Sequence, residues 1–190
     1  GLINGSFYAV LSLGLAIIFG LLNIINFAHG AQYMLGAFGA WLGLNYLGIN
    51  YWLALVLSPL LVGALAVVIE RSMLKRLYQL DHLYGLLLTF GLALMAEGLF
   101  KNFFGVSGES YEAPELLQGG MQLGFMFLPI YRGWVVVAAL TVCLVAWYVI
   151  ERTSLGATLR AATQRPDLVQ ALGINGPVLV TATYAAGAAL

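Results

Sequence analysis

Four uncharged polar side chains interrupt an almost continuously apolar stretch, LLNIINFAHGAQYMLGAFGAW at residues 21–41. They are Asn23, Asn26, His29 and Gln32. Asn26, His29 and Gln32 recur at helical spacing and share one face, and Asn23 falls on the same side. Buried in lipid without partners, each group costs on the order of a few kcal/mol, so all four must face protein or water. Two readings stand. The side chains cap a helix start and hydrogen-bond to a neighbouring helix, or they line a polar path through the membrane. No catalytic residue is indicated, because no serine–histidine–acid set or carboxylate pair accompanies His29. No metal site is indicated either: His82 lies in a separate loop and Cys143 is the single cysteine.

Charged groups narrow the chemistry further. Glu97 is the single acid placed inside an apolar run, and Lys101 follows four residues on, the spacing of a helical ion pair at the interface. A proton or sodium relay needs a carboxylate near the midplane and lacks one here. Downstream, TSLGATLRAATQRPDLVQALG at 153–173 carries Arg160 and Arg165, with Arg152 just before it. Thr153 or Ser154 is a suitable N-cap. Pro166 and Gly173 are start and stop signals for a second short helix. Leu155, Leu159, Ala162, Val169 and Leu172 give the segment an apolar face. It reads as two short helices lying near the membrane, either as an amphipathic connector or as a docking element. A bare connection needs only a few residues.

The elements that position these groups follow from composition. The 190 residues are 62% hydrophobic and 8% charged, with mean hydropathy +0.93. Soluble domains are roughly 25% charged. The expected class is an all-α, polytopic integral membrane bundle, since a β-barrel would show short alternating segments. Zero net charge argues against a nucleic-acid surface. Apolar runs fall at 2–22, 52–69, 83–100 and 134–150, with another beginning near 178. The 23–45 stretch spans as well if its helix starts near Asn23 or Asn26, which makes about six spans. Gly36, Gly39, Ala40 and Gly43 on that stretch read as a helix-packing face, as do Gly5, Gly14 and Gly20 on the first helix.

Arg71, Lys75 and Arg76 place the 70–82 connection in the cytoplasm, and the arginines of 151–177 place that connection there too. The 101–133 connection holds Glu109, Glu112 and Glu115 and is read as external. No secretory signal pattern opens the chain. The last apolar run has about 13 residues where about 20 are needed. The expectation is one transmembrane domain over 1–190, truncated at its C-terminus.

NGSFYAVLSLGLAIIFGLLNIINFAHGAQYMLGA, residues 4–37, resembles the first helices of Liv-type permease subunits of branched-chain amino acid ABC importers. RTSLGATLRAATQRPDLVQALGIN, residues 152–175, is similar to that family's cytoplasmic segment. The resemblance implies a transport subunit that is not itself an enzyme and binds no cofactor. ATP and Mg would be used by two partner ATPase subunits. A second permease subunit would complete a homo- or heterodimer in the bacterial inner membrane, and a periplasmic binding protein would deliver substrate. It also makes 151–177 the ATPase-coupling segment, with Gly156, Arg160, Asp167 and Gly173 as its candidate contact residues. Permeases of the same group carry urea or short amides. An ion-coupled secondary carrier is the alternative from another class.

Overall fold

The computed structural model describes residues 1–190 except 23–24, 79, 106–107, 109–110, 112, 123–126, 165–168 and 170. Long helices dominate, as the apolar runs require. They are α1 (Leu2–Leu22), α2 (His29–Leu47), α3 (Tyr51–Ser72), α4 (His82–Phe104) and α5 (Ile130–Arg152). A shorter α6 (Ser154–Gln164) and α7 (Gly176–Ala189) follow. Among the described residues, four segments are long and apolar enough to cross a bilayer: Leu2–Gly20, Tyr51–Arg76, His82–Phe104 and Ile130–Arg152. α2 carries the polar residues, and the 14 residues of α7 reach about 21 Å at 1.5 Å per residue. The chain is a multi-pass helical membrane protein.

Helix ends follow side-chain chemistry. Asn50 accepts from Leu53 N at 2.9 Å, Asp81 from Leu83 N at 3.0 Å, and Asn175 from Val178 N at 3.4 Å. Each satisfies a backbone donor that the first helical turn leaves free. Gly48, at φ 64°, ends α2, a conformation in which glycine meets no Cβ penalty. α3, α4 and α5 all extend past the apolar runs, because polar turns at the membrane surface continue a helix once its interior has nucleated it.

The fold is not wholly helical. Gly120–Gln122 (β1) and Phe127–Pro129 (β2) pair antiparallel, Gly120 opposite Pro129. This ribbon lies in the 101–133 connection, where no strand was expected. Glycine and proline punctuation marks turns but carries no periodicity that would reveal so short a pair.

Cross-helix contacts set the directions. Gly63 of α3 faces Ala185 and Ala189 of α7, while Glu70 of α3 is bonded to Thr181, so α3 and α7 are antiparallel. Phe27 meets Phe90, and Phe38 meets Phe100 and Phe104, so α2 runs alongside α4 in the same direction. Trp134 at the start of α5 contacts Tyr51 and Trp52 at the start of α3. Gly36 of α2 meets Ser58 and Val62 of α3 while Gly43 meets Ile49 just before it, so α3 and α5 run one way and α2, α4 and α7 the other. This matches the alternation read from the basic loops. A buried cluster of Ile18, Ala66, Leu74, Tyr184 and Ala188 joins α1, α3 and α7. Gly14 and Gly187 make their crossing possible: a Cβ on Gly14 would lie 2.5 Å from Gly187 O. Gly36 packs on Ser58 and Val62 as expected, whereas Gly5 and Gly20 face open space. The first-helix packing face therefore reduces to Gly14.

Candidate functional site

The polar interruption folds as a break between two helices. α2 begins at His29, later than Asn23 or Asn26, because the Asn26 side chain is taken up locally. Its Oδ1 accepts from Ala28 N at 3.1 Å, a turn that competes with helix continuation. Asn26 thus stands before the helix, yet its Nδ2 donates to Gln32 Oε1 at 3.0 Å. Gln32 Nε2 in turn donates to the Tyr184 hydroxyl on α7 at 3.4 Å. Asn26, Gln32 and Tyr184 are all buried. Asn23 lies outside the described residues.

His29 crosses to α1. Its Nε2 lies 2.9 Å from Leu11 O, so Nε2 carries the proton and donates, while Nδ1 is buried without a partner among the described residues. The ring fills the space beside Gly14, where a Cβ would come within 2.8 Å of it. Leu11 is near the middle of α1, so α2 starts deep in the bundle. Thr89, about two turns into α4, closes the other side: its hydroxyl accepts from Phe27 N at 3.2 Å and donates to Leu86 O at 3.1 Å. The backbone N–H groups of Phe27, Ala28 and His29 are therefore satisfied inside protein, as irregular chain at membrane depth requires. Thr89 and Tyr184 were missed from sequence, since a single hydroxyl in an apolar helix carries no local signal.

Beside the break lies a cavity of about 430 Å³ between α1, α2, α3 and α5. This is within the range of about 300–1,000 Å³ for small-molecule pockets. Among the described residues, Ser6, Gln32, Tyr33 and Ser58 supply polar groups to its wall, none that lines it carries a charged side chain, and much of the remainder is alanine, glycine and aliphatic side chains. Tyr51, Tyr111, Tyr131 and Trp134 gather where α3 and α5 begin. Trp134 Nε1 donates to the Tyr51 hydroxyl at 3.1 Å. The Tyr111 hydroxyl is buried without a partner among the described residues, and burial, with a smaller contribution from Tyr51, pushes it above the usual phenol range.

At the opposite end, the α5–α6 joint holds two of the four coupling candidates. Thr153 caps α6 by accepting from Gly156 N at 3.3 Å, as its position predicts. Gly156 presses on the end of α5, where a Cβ would collide with the Ile150 carbonyl. Arg160 turns back rather than outward: its guanidinium donates to Ile150 O and lies 3.7 Å from Glu151. A cation there complements the carbonyl end of α5. Gly173 has φ 80°, and Ile174 N donates to Val169 O at 3.2 Å, a glycine-terminated helix end. Asp167 lies outside the described residues. The apolar face divides: Val169 is buried, while Leu155 and Leu172 are exposed.

Two acids differ sharply. Glu97 pairs with Lys101 at 2.6 Å and both are exposed, as the spacing predicts. Glu70, near the end of α3, is 1% exposed and lies inside the Tyr51–Arg76 span. Glu97 is therefore not the single acid within a span. Proximity to Arg71 made Glu70 look like part of a polar helix end.

Comparison with known proteins is consistent along the whole chain. The permease protein BraD of the high-affinity branched-chain amino acid transport system of Pseudomonas aeruginosa is 28% identical over 210 residues, covering 100% of this chain and 66% of its own length. LivH of Escherichia coli K12, a permease protein of the same description, is 24% identical over 206 residues, covering 100% of this chain and 65% of its own. A probable LivH permease of Methanocaldococcus jannaschii is 28% identical over 185 residues, covering 92% and 56%. The chain spans just under two thirds of the length of BraD and of the Escherichia coli LivH. No solved structure matches. A family described as branched-chain amino acid transport system / permease component matches residues 1–190, and the chain belongs to it.

Proposed function

We propose that this chain forms part of the membrane-spanning permease subunit of an ATP-driven importer of branched-chain or related amino acids. The observation that carries the reading is the family match over all 190 residues, with relatives named as permeases of such systems. The geometry supports it. A cavity with uncharged polar groups on an aliphatic wall suits a ligand with an apolar side chain, and the broken helix beside it gives its backbone and amides a protein-lined path. ATP hydrolysis, with Mg, belongs to two partner ATPase subunits, and this chain is no enzyme. The 151–177 segment is their coupling element. Exposed Leu155 and Leu172 offer the apolar contact, and Gly156 and Arg160 set the angle of α6 on α5. A second permease subunit and a periplasmic binding protein complete the assembly in the inner membrane.

The test is reconstitution of the full-length permease in liposomes with the ATPases, second permease and binding protein encoded beside it. Accumulation of labelled leucine, isoleucine or valine that requires ATP and the binding protein is the expected result. Uptake by the permease alone without ATP would replace the reading with a secondary carrier. ATP-dependent uptake of urea or short amides in place of amino acids would correct the substrate.

A further inference from the structure

Among the described residues, Glu70 is the buried charge-bearing group that the site above does not use. Its carboxylate bonds in two directions. Tyr78 of the α3–α4 connection donates its hydroxyl to Oε1 at 2.8 Å, and Thr181 of α7 donates to Oε2 at 2.7 Å. Burial first, then the hydrogen bond to Glu70, hold the Tyr78 phenol well above its usual range, so it remains a donor. Leu74 of the same connection is 1% exposed and packs in the cluster with Tyr184. One turn along α7 from Thr181, the Tyr184 hydroxyl receives Gln32, which holds Asn26. Bonded groups therefore lead from the connection at one end of the bundle, through Glu70 and one face of α7, to the helix break in its interior.

A leucine would fill this place more cheaply, since burying a carboxylate costs more than burying an apolar side chain of like volume. What the carboxylate adds is direction: two short, oriented bonds to two separate segments, which break if either segment shifts by about an ångström. We propose that Glu70 is a positioning residue that couples the segment carrying Leu74 and Tyr78 to α7, and through α7 to the Asn26–Gln32 break. The proposal rests on the transport reading for its consequence, namely that movement at the end where the ATPases dock is passed to the cavity wall.

Two measurements test it on the full-length protein with Tyr78→Phe, Thr181→Val and the double variant, each of which deletes a hydroxyl and keeps the side chain's bulk. The first is substrate transported per ATP hydrolysed in the reconstituted complex, a ratio that loss of folded yield does not change. Each single variant is expected to lower it about five- to tenfold, the range of a modest coupling energy. The double variant should be no worse than the weaker single, because both break one chain of contacts. An unchanged ratio, or losses that multiply, would overturn the proposal. The second is hydrogen exchange of the 27–32 amides in the permease alone, which does not depend on transport. Tyr78→Phe is expected to speed that exchange, and protection equal to wild type would overturn the linkage. Wild-type complex that shows no ATP-driven uptake, with exchange still responding, would sink the transport reading and leave the linkage standing.

Discussion

The helix break and the α5–α6 joint both place polar groups and glycine at a change of chain direction, yet they are built by different means. At the joint the partners are local. Arg160 reaches Ile150 and Glu151, and Gly156 meets Ile150, all within ten residues. At the break they are distant: Gln32 reaches Tyr184, His29 reaches Leu11, and Phe27 reaches Thr89. The joint is a short-range hinge point that sets the angle of one exposed helix. The break is a knot that ties α1, α2, α4 and α7 together. Damage at the knot should therefore cost stability, whereas damage at the joint should cost function with the bundle intact.

Gly14→Val is the harshest way to probe this contrast. Its side chain would meet Gly187 O and the His29 ring, backbone on one side and a wedged ring on the other, so about 3 kcal/mol of stability is expected to be lost, the upper end for overpacking. Thermal unfolding in detergent reads it. A wild-type midpoint would mean that the α1–α7 crossing is looser than the contact implies.

Gln32→Leu comes next, at about 2 kcal/mol, because it strands the Asn26 amide in a buried place. His29→Leu should lower folded yield by a similar amount through loss of the bond to Leu11. A well-folded His29→Leu protein that no longer transports would instead favour the path-lining reading. Arg160→Glu should leave stability within about 1 kcal/mol of wild type, since its pair is half exposed, while ATP-driven uptake falls. Normal uptake by that variant would remove Arg160 from coupling.

The smallest effect concerns pH. The Tyr78 phenol is raised above its ordinary value of 10.0 in the folded protein. The stability it contributes is therefore complete below pH 10 and declines as pH rises past the unfolded value toward the folded one. Unfolding midpoints at pH 8 and pH 10.5 should differ more in wild type than in Tyr78→Phe. Equal differences would show that the Tyr78 hydroxyl is not held by Glu70 in solution.

The membrane class, the long helices, the Thr153 cap, the Gly173 stop and the Glu97–Lys101 pair were all legible in the residues, because each depends on neighbours within a few positions or on bulk composition. The family resemblance was legible as well, in two ordered stretches. The tertiary structure alone decided where the distant partners lie. Asn26 leaves the helix yet still bonds Gln32, Arg160 folds back onto α5, and Glu70 sits buried between Tyr78 and Thr181. Likewise, among the described residues, only Gly14 of the three first-helix glycines meets another helix. Periodicity tells which side chains share a face of one helix, but in an apolar sequence nearly every face could be buried. Which one is buried depends on the helices that pack against it, and that is a property of the assembled bundle.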